Sequence, residues 1–327
     1  MDVTGYSHSR NHGLDFLKGI AACGIVFVHM SFPWPYGGFF AYVASCGVSI
    51  FFMTSGYFSL GASRDKLLRA IRRTVVYLLV AYFLYLTKML IVNGMDFKAV
   101  GDYLINQVLT PQHLLKTLIY TQSKIFPLAW FLISLLMCYV LKLLLGRWFR
   151  YLGYLGLLAS FIVVMPPIGS RMDFPISNPW LWGIPLFVIG ELVHEYEDRL
   201  QNALSRRTLV LLCLVAIVNN LVARYIGTQW WHLGNMLLAP SLFLLFSRSG
   251  MSYNIVCRWG STYAFFIYIV HPLVGFVYKQ LRENPGYLEC WLRPFVVLLV
   301  TILLAMAFYR LKSLIDSLLF SKHREGS

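Results

Sequence analysis

Charged residues are scarce in this sequence, and acidic ones above all. Only 13% of its 327 residues are charged and 14 are Asp or Glu, whereas soluble domains carry about 25% charged residues. Hydrophobic residues make up 58% of the chain. That leaves too little polar surface for a fold surrounded by water, so lipid must be the main solvent. An ordinary soluble enzyme is excluded.

Several motifs of nucleotide, metal and hydrolase chemistry are missing as well. No Walker loop, GxGxxG, HExxH or GxSxG element stands in a suitable context. The six cysteines are far apart and show no CxxC spacing, which argues against a disulfide framework or a zinc site. These absences weigh against ATP-driven transport and serine hydrolase chemistry, and we expect neither a metal site nor a bound cofactor.

The sequence is instead rich in apolar runs of about 20 residues, the length that crosses the hydrocarbon core as a helix. About ten such runs predict an all-α, polytopic membrane protein with one domain over residues 1–327 and short tails at about 1–13 and 312–327. The predicted spans are 14–32, 39–60, 74–92, 127–145, 151–167, 179–194, 208–226, 231–247, 260–279 and 293–311.

The net charge of +14 comes from Lys and Arg in short connections between the apolar runs. The basic residues are concentrated on one side, which the positive-inside rule places in the cytoplasm together with both termini. Basicity therefore sets topology and does not indicate nucleic acid as a partner. We expect a multi-pass protein of the plasma or inner membrane, whose long outer connection, residues 93–126, forms a short amphipathic helix at the interface. That helix either caps an outward-facing site or only fills space.

The first predicted span carries Asp15, Lys18 and His29. Lys18 and His29 are 11 positions apart, which at about 100° per residue places them on one helical face, roughly 16 Å apart. Asp15 lies three residues before Lys18 and joins that face. A phosphate-bearing co-substrate could meet Lys18 from the cytoplasm and extend towards His29, whose neutral imidazole accepts a proton. Taken singly, either side chain could simply reach the headgroups.

Other polar groups allow two interpretations each. Arg69 and Arg72 share a face at the cytoplasmic end of the third span, where they either bind phosphate or only orient the chain. His271 precedes Pro272 inside the ninth span, as a catalytic group or as a hydrogen-bonded core histidine. We expect Glu191 to reach headgroup water.

Several stretches resemble the acyltransferase 3 membrane proteins, in the expected order. Residues 14–29 resemble the first helix of that family, in which an Arg precedes the catalytic His with ten residues between; Lys18 stands here in its place. The other stretches are Phe51-Phe52-Met53-Thr54-Ser55-Gly56-Tyr57, Arg69-Ala70-Ile71-Arg72, Ala129-Trp130-Phe131-Leu132 and Ser261-Thr262-Tyr263 through Tyr268-Ile269-Val270-His271-Pro272.

The resemblance implies an enzyme that moves acetyl groups from cytoplasmic acetyl-CoA to hydroxyls of cell-envelope carbohydrates or lipid-linked glycans. It implies that His29 is the general base, that Lys18, Arg69 and Arg72 hold the donor, and that Ser55, Trp130 and His271 line or support the cavity. Lysine at position 18 keeps the positive charge and loses the bidentate fork. The alternative is a polytopic exporter or flippase of a glycan or small solute, without acyl transfer.

Overall fold

The computed structural model describes residues 11–34, 36–164, 178–226, 231–282 and 284–324. Every regular element in these ranges is a helix, which confirms the all-α prediction. The α-helices are α1 His12–His29, α2 Tyr36–Ala44, α3 Cys46–Tyr57, α4 Arg64–Val92, α5 Phe97–Tyr103, α6 Pro111–Tyr120, α7 Ala129–Leu145, α8 Phe149–Val164, α9 Ile184–Glu195, α10 Glu197–Ala203, α11 Arg206–Tyr225, α12 Trp231–Ser247, α13 Ile255–Arg258, α14 Ala264–Leu281 and α15 Tyr287–Arg324. Short π-helical turns occupy Leu104–Val108, Pro179–Gly183 and Trp259–Tyr263.

Side-chain caps fix where the long helices begin. Asn11 accepts a hydrogen bond from the backbone N–H of Leu14 at the start of α1. Ser63 and Ser205 cap α4 and α11 in the same way. These short polar side chains satisfy backbone donors that lack a partner in the first turn.

Seven segments of the described chain are long and apolar enough to cross a bilayer. One of them, Ala129–Val163, contains both α7 and α8. Two further predicted spans, 179–194 and 231–247, fall on the shorter helices α9 and α12. The polytopic architecture is therefore confirmed, while the number of ten spans and the cytoplasmic position of both termini stay predictions.

Helices α7 and α8 form an antiparallel pair. Both bind the carboxylate of Glu191 where they meet, α7 through Lys142 and α8 through Arg150. Their far ends both pack on the π-helical turn that precedes α9, α7 through Ser134 and α8 through Ser160. The contacts thus divide this segment into two antiparallel helices, as the two predicted spans 127–145 and 151–167 require. Residues 165–167 lie outside the described ranges.

The chain forms two compact units. The first comprises residues 1–44 with 249–327, and the second comprises residues 45–248. In the first, α1 packs against α2, α13, α14 and α15. In the second, α3 packs against α9 and α12, α4 against α7, and α11 against α12. That residues 1–327 act as one domain stays a prediction.

The connection 93–126 differs from the single amphipathic helix that its apolar spacing predicts. It contains α5, a π-helical turn and a separate helix α6. Pro111 starts α6, and the Thr110 side chain caps it by accepting from the N–H of His113. Proline lacks an N–H and disfavours helical backbone before it, so one continuous helix could not pass this point.

The last helix also extends beyond its predicted span. Residues 293–311 were expected to cross the bilayer, with a tail from 312, but α15 runs from Tyr287 to Arg324. Its described part contains Pro294 near the start, and no proline or glycine interrupts the helix after that. The helix therefore continues through the predicted cytoplasmic tail.

Candidate functional site

Two glycines bring α1 close to the segment that leads into α14. A Cβ on Gly19 would lie 2.3 Å from the carbonyl oxygen of Val256, and a Cβ on Gly260 would lie 1.9 Å from that of Asp15. Real Cβ atoms do not approach backbone so closely, so no larger residue fits without displacement. The small residues therefore set the spacing of the helices that carry the predicted site.

Asp15 and Lys18 form an ion pair on the first two turns of α1. The Lys18 ammonium lies 2.8 Å from a carboxylate oxygen of Asp15. Both side chains are largely shielded, with 17% of Lys18 and 9% of Asp15 exposed. A shielded ion pair has no net charge, so Lys18 offers a phosphate less attraction than a free ammonium would.

At the other end of α1, His29 meets His271 of α14. Their ring centroids are 5.4 Å apart with an angle of 33° between the planes. His29 is exposed at the last residue of its helix, whereas His271 is completely buried. The site therefore holds one accessible imidazole supported by one inaccessible imidazole.

The hydrogen bonds of His271 fix which of its nitrogens carries a proton. Its Nδ1 lies 2.8 Å from the carbonyl oxygen of Ile267, which can only accept. A neutral ring that donates from Nδ1 leaves a lone pair on Nε2, and that nitrogen is buried with no hydrogen-bond partner among the described residues. This lone pair is enclosed, in a ring that lies against the ring of His29.

Lys18 and His29 both face the segment Ile255–Leu281. A Cβ on Gly260 would lie 2.9 Å from the Cβ of Lys18, and His29 contacts His271 in the same segment. Both side chains therefore project from one side of α1, as their spacing predicts. The first compact unit thus brings together Asp15, Lys18, His29 and His271 from the set of predicted site residues.

The remaining predicted site residues belong to the second compact unit. Arg69 and Arg72 are exposed on the second and third turns of α4, and none of the ion pairs found in the described ranges involves them. Trp130 contacts Phe52, with ring centroids 6.4 Å apart. Ser55 hydrogen-bonds Tyr139 of α7. Ser55 and Trp130 thus both lie where α3 meets α7.

Sequence reasoning missed a buried ionic cluster in this second unit. The expectation that Glu191 reaches headgroup water is wrong, because its side chain is 0% exposed and is bound by Lys142 and Arg150. Arg150 also pairs with Glu195 at 2.7 Å. The partners lie on α7 and α8, more than 40 positions away, so no local pattern predicts them. Charge complementarity between neighbouring spans is the signal that could have found them.

A cavity opens beside this cluster, at the start of α4 and the end of α7. Its volume is about 460 Å³, and Arg64 and Lys142 contribute its charged lining. The other lining residues are Ser59, Gly61, Ala62, Leu67, Leu143, Leu144 and Gly146. The cavity is thus basic and lies within two helical turns of Arg69 along α4.

Comparison with known protein families decides the class of this protein. Residues 11–310 match the acyltransferase domain model of the acyltransferase 3 family. The chain belongs to this family. No curated protein and no solved structure matches the chain. Because the match covers nearly the whole sequence, this acyltransferase carries its family domain in both compact units, and the exporter interpretation loses its main support.

Proposed function

We propose that this membrane acyltransferase moves an acetyl group from cytoplasmic acetyl-CoA to a hydroxyl of a cell-envelope carbohydrate or lipid-linked glycan. Family membership supports acyl transfer in a multi-pass membrane protein. The observation that carries the finer proposal is the accessible imidazole of His29 against the buried imidazole of His271. The plasma or inner membrane is the proposed location, because acetyl-CoA is available on its cytoplasmic side.

His29 is the proposed general base. Its neutral imidazole takes the proton of the acceptor hydroxyl while the oxygen attacks the thioester carbonyl carbon. The C–O bond of the ester forms and the C–S bond breaks, which releases CoA as the thiolate. The imidazolium of His29 then returns its proton to that thiolate, so the products are the acetyl ester and CoA thiol. No further co-reactant is needed.

His271 is the proposed positioning residue for this step. Its Nδ1–H is held by the carbonyl of Ile267, and its Nε2 is left as an acceptor in a buried place. The buried ring of His271 can hold the adjacent ring of His29 in one orientation. Orientation of this kind contributes to catalysis by holding the reacting atoms in attack geometry.

The arginines of α4 are the proposed binding groups for the CoA phosphates. Arg69 and Arg72 are exposed, and guanidinium groups bind phosphate in a bidentate way. Lys18 is the weaker candidate, because its charge is already balanced by Asp15. We infer that Asp15 holds the Lys18 ammonium in a fixed place beside the donor. Its attraction for phosphate is the smaller contribution.

The experiment measures transfer of radiolabelled acetyl from acetyl-CoA to a lipid-linked glycan extract by the protein purified in detergent. His29→Ala is expected to lower the rate by about 10²–10⁴-fold, the usual contribution of a general base. His113→Ala removes a histidine from the predicted outer loop and serves as the matched control. Equal labelling by wild type and His29→Ala would exclude His29 as the base.

A second measurement addresses the donor. Replacing Arg69 and Arg72 together by Gln is expected to weaken acetyl-CoA binding by at least about tenfold, since each charged hydrogen bond contributes roughly 1.5–3 kcal/mol. Replacing Arg206 and Arg207 by Gln removes the same charge from the exposed start of α11. Unchanged affinity in the α4 variant, with loss in the α11 variant, would move the donor site to α11.

A further inference from the structure

A second basic pocket lies in the first compact unit, where α14 ends and α15 begins. Its volume is about 260 Å³, and it is lined by Tyr278, Lys279, Arg282, Pro285 and Arg293. Pockets for drug-sized ligands have volumes of about 300–1,000 Å³, so this one admits a single sugar residue with its substituent. If both termini lie in the cytoplasm, this pocket opens on the outer side.

The pocket carries an excess of positive charge. Arg282 is 3.6 Å from Glu289, a long and largely exposed pair. Lys279 and Arg293 have no carboxylate partner in the described ranges. Among the residues that the structure describes, these two cations have no balancing charge, which favours an anionic occupant.

Arg293 is already oriented for a ligand. Its Nη2 donates to the carbonyl oxygen of Ser31 at 2.7 Å, which anchors the guanidinium group. Its Nε is buried and has no hydrogen-bond partner among the described residues. The guanidinium group is thus held in place at the wall of the pocket, where its positive charge attracts an anion.

The same residues connect the pocket to the imidazoles. Ser31, which anchors Arg293, lies two positions after His29. Tyr278 lies seven positions after His271 on α14, which places it on the same helical face and about 10 Å farther along the axis. The pocket therefore lies about 10 Å beyond His271 along α14.

We propose that this pocket binds a carboxylate or phosphate group of the acceptor, so that the substrate is an anionic sugar acetylated at a hydroxyl near the charged group. This inference rests on the proposed acyl transfer. It names the class of acceptor, which neither the family nor the sequence specifies. A phospholipid headgroup of the outer leaflet has the same anionic chemistry, so the experiment includes an arm for each source.

The first arm measures binding of small sugars to the purified protein in neutral detergent. The probes are methyl glucuronide and glucose 6-phosphate, with methyl glucoside as the uncharged reference. We expect both anionic probes to bind at least about tenfold more tightly than the glucoside at low salt, with the preference reduced at high salt. Equal binding of charged and uncharged probes would overturn the proposal.

Variants then locate the preference. Lys279→Gln should reduce the preference for the anionic probes by about tenfold, and Arg293→Lys should reduce it while keeping the charge. Lys98→Gln, which removes an exposed lysine of α5, is the matched control. If Lys98→Gln changes binding as much as Lys279→Gln, the preference reflects general charge, and the pocket is not the site.

The second arm repeats these measurements in nanodiscs of phosphatidylcholine with and without phosphatidylglycerol. Sugar binding that persists in both supports the acceptor site. Loss of sugar binding in the nanodisc that contains phosphatidylglycerol, with binding retained in phosphatidylcholine alone, would assign the pocket to lipid headgroups and overturn the acceptor proposal.

Release of CoA separates this inference from the proposed function. If the wild type acetylates the glycan extract but shows no preference for anionic probes, the proposed function stands and the pocket assignment is wrong. Wild type that binds the anionic probes at this pocket but releases no CoA with any acceptor extract loses the proposed function, while the pocket remains an anion site.

Discussion

The two compact units differ in what their helices bring together, which is an ionic cluster in the second unit and a pair of imidazoles in the first. In the second unit, the carboxylate of Glu191 is completely buried and bound by cations from two other helices. In the first unit, the exposed imidazole of His29 lies against the buried imidazole of His271. Charges paired across helices hold the helices together, whereas a neutral imidazole can take part in proton transfer. We therefore expect substitutions in the ionic cluster to lower stability and substitutions at the imidazoles to lower activity.

The largest expected effect is loss of stability in the second unit. Glu191→Ala leaves Lys142 and Arg150 without their shared carboxylate, and removing one partner of a buried pair costs about 3–5 kcal/mol. Denaturation monitored by circular dichroism in detergent measures the change. Glu195→Ala, at a partly exposed carboxylate, is the control and should cost no more than about 1 kcal/mol. Similar losses of stability from both variants would contradict the role of Glu191 in holding α7 and α8 together.

In the first unit we expect the opposite, a loss of activity with little loss of stability. His271→Gln keeps a polar side chain and should lower the turnover number about 10²-fold, which is about 2.7 kcal/mol of activation free energy. Its unfolding free energy should change by less than about 1 kcal/mol, since the glutamine amide can keep a hydrogen bond to the carbonyl of Ile267. Turnover and KM are measured together with unfolding. A parallel loss of stability and activity would make His271 a structural residue only.

Substitution of two closely packed glycines, one in each unit, should have an intermediate effect on stability. Its effect on donor binding should differ between the units. Gly56→Ala and Gly260→Ala each place a Cβ within 2.0 Å of a backbone oxygen, so each should cost about 1–3 kcal/mol of stability. Only Gly260→Ala pushes on Lys18, so it alone should also weaken acetyl-CoA binding. Thermal unfolding and donor titration test this. Equal donor affinity in both variants would remove Lys18 from the donor site.

The smallest expected effect concerns His113 in the loop between α5 and α7. Burial, aided by Lys124 and Lys116, lowers the pKa of His113 below its ordinary value of 6.5. The folded loop therefore favours the neutral ring. The loop has its full stability above pH 6.5 and loses stability as the pH drops below that value, because the unfolded loop then binds the proton more readily. The protection factors of residues 111–120, corrected for the pH dependence of intrinsic amide exchange, should fall at pH 5.5, and His113→Gln should abolish that fall. An unchanged pH response in the variant would assign it to another group.

Local sequence patterns predict the helices well and their contacts poorly. Apolar runs place α1, α11 and α12 within a few residues, because a span must satisfy its own backbone and match the bilayer thickness. Asn220 also hydrogen-bonds Asn235 at 2.9 Å across α11 and α12, as expected of a membrane amide.

The candidate site depends on contacts that no local period contains. The spacing of Lys18 and His29 predicts a shared face, but the meeting of His29 with His271 joins positions 242 apart. The position of His271 beside Pro272 in a span, and the family resemblance, pointed to His271, but neither predicted its contact with His29. The anchoring of Arg293 on Ser31 joins positions 262 apart and had no sequence signal.

Chemical rescue is the most direct test of His29 as the general base. Acetyl transfer by His29→Ala is measured with and without added imidazole, which can take the place of the missing side chain because His29 is accessible. If His29 is the base, imidazole restores transfer in His29→Ala and leaves His271→Gln unchanged. Full activity of His29→Ala without imidazole would contradict it.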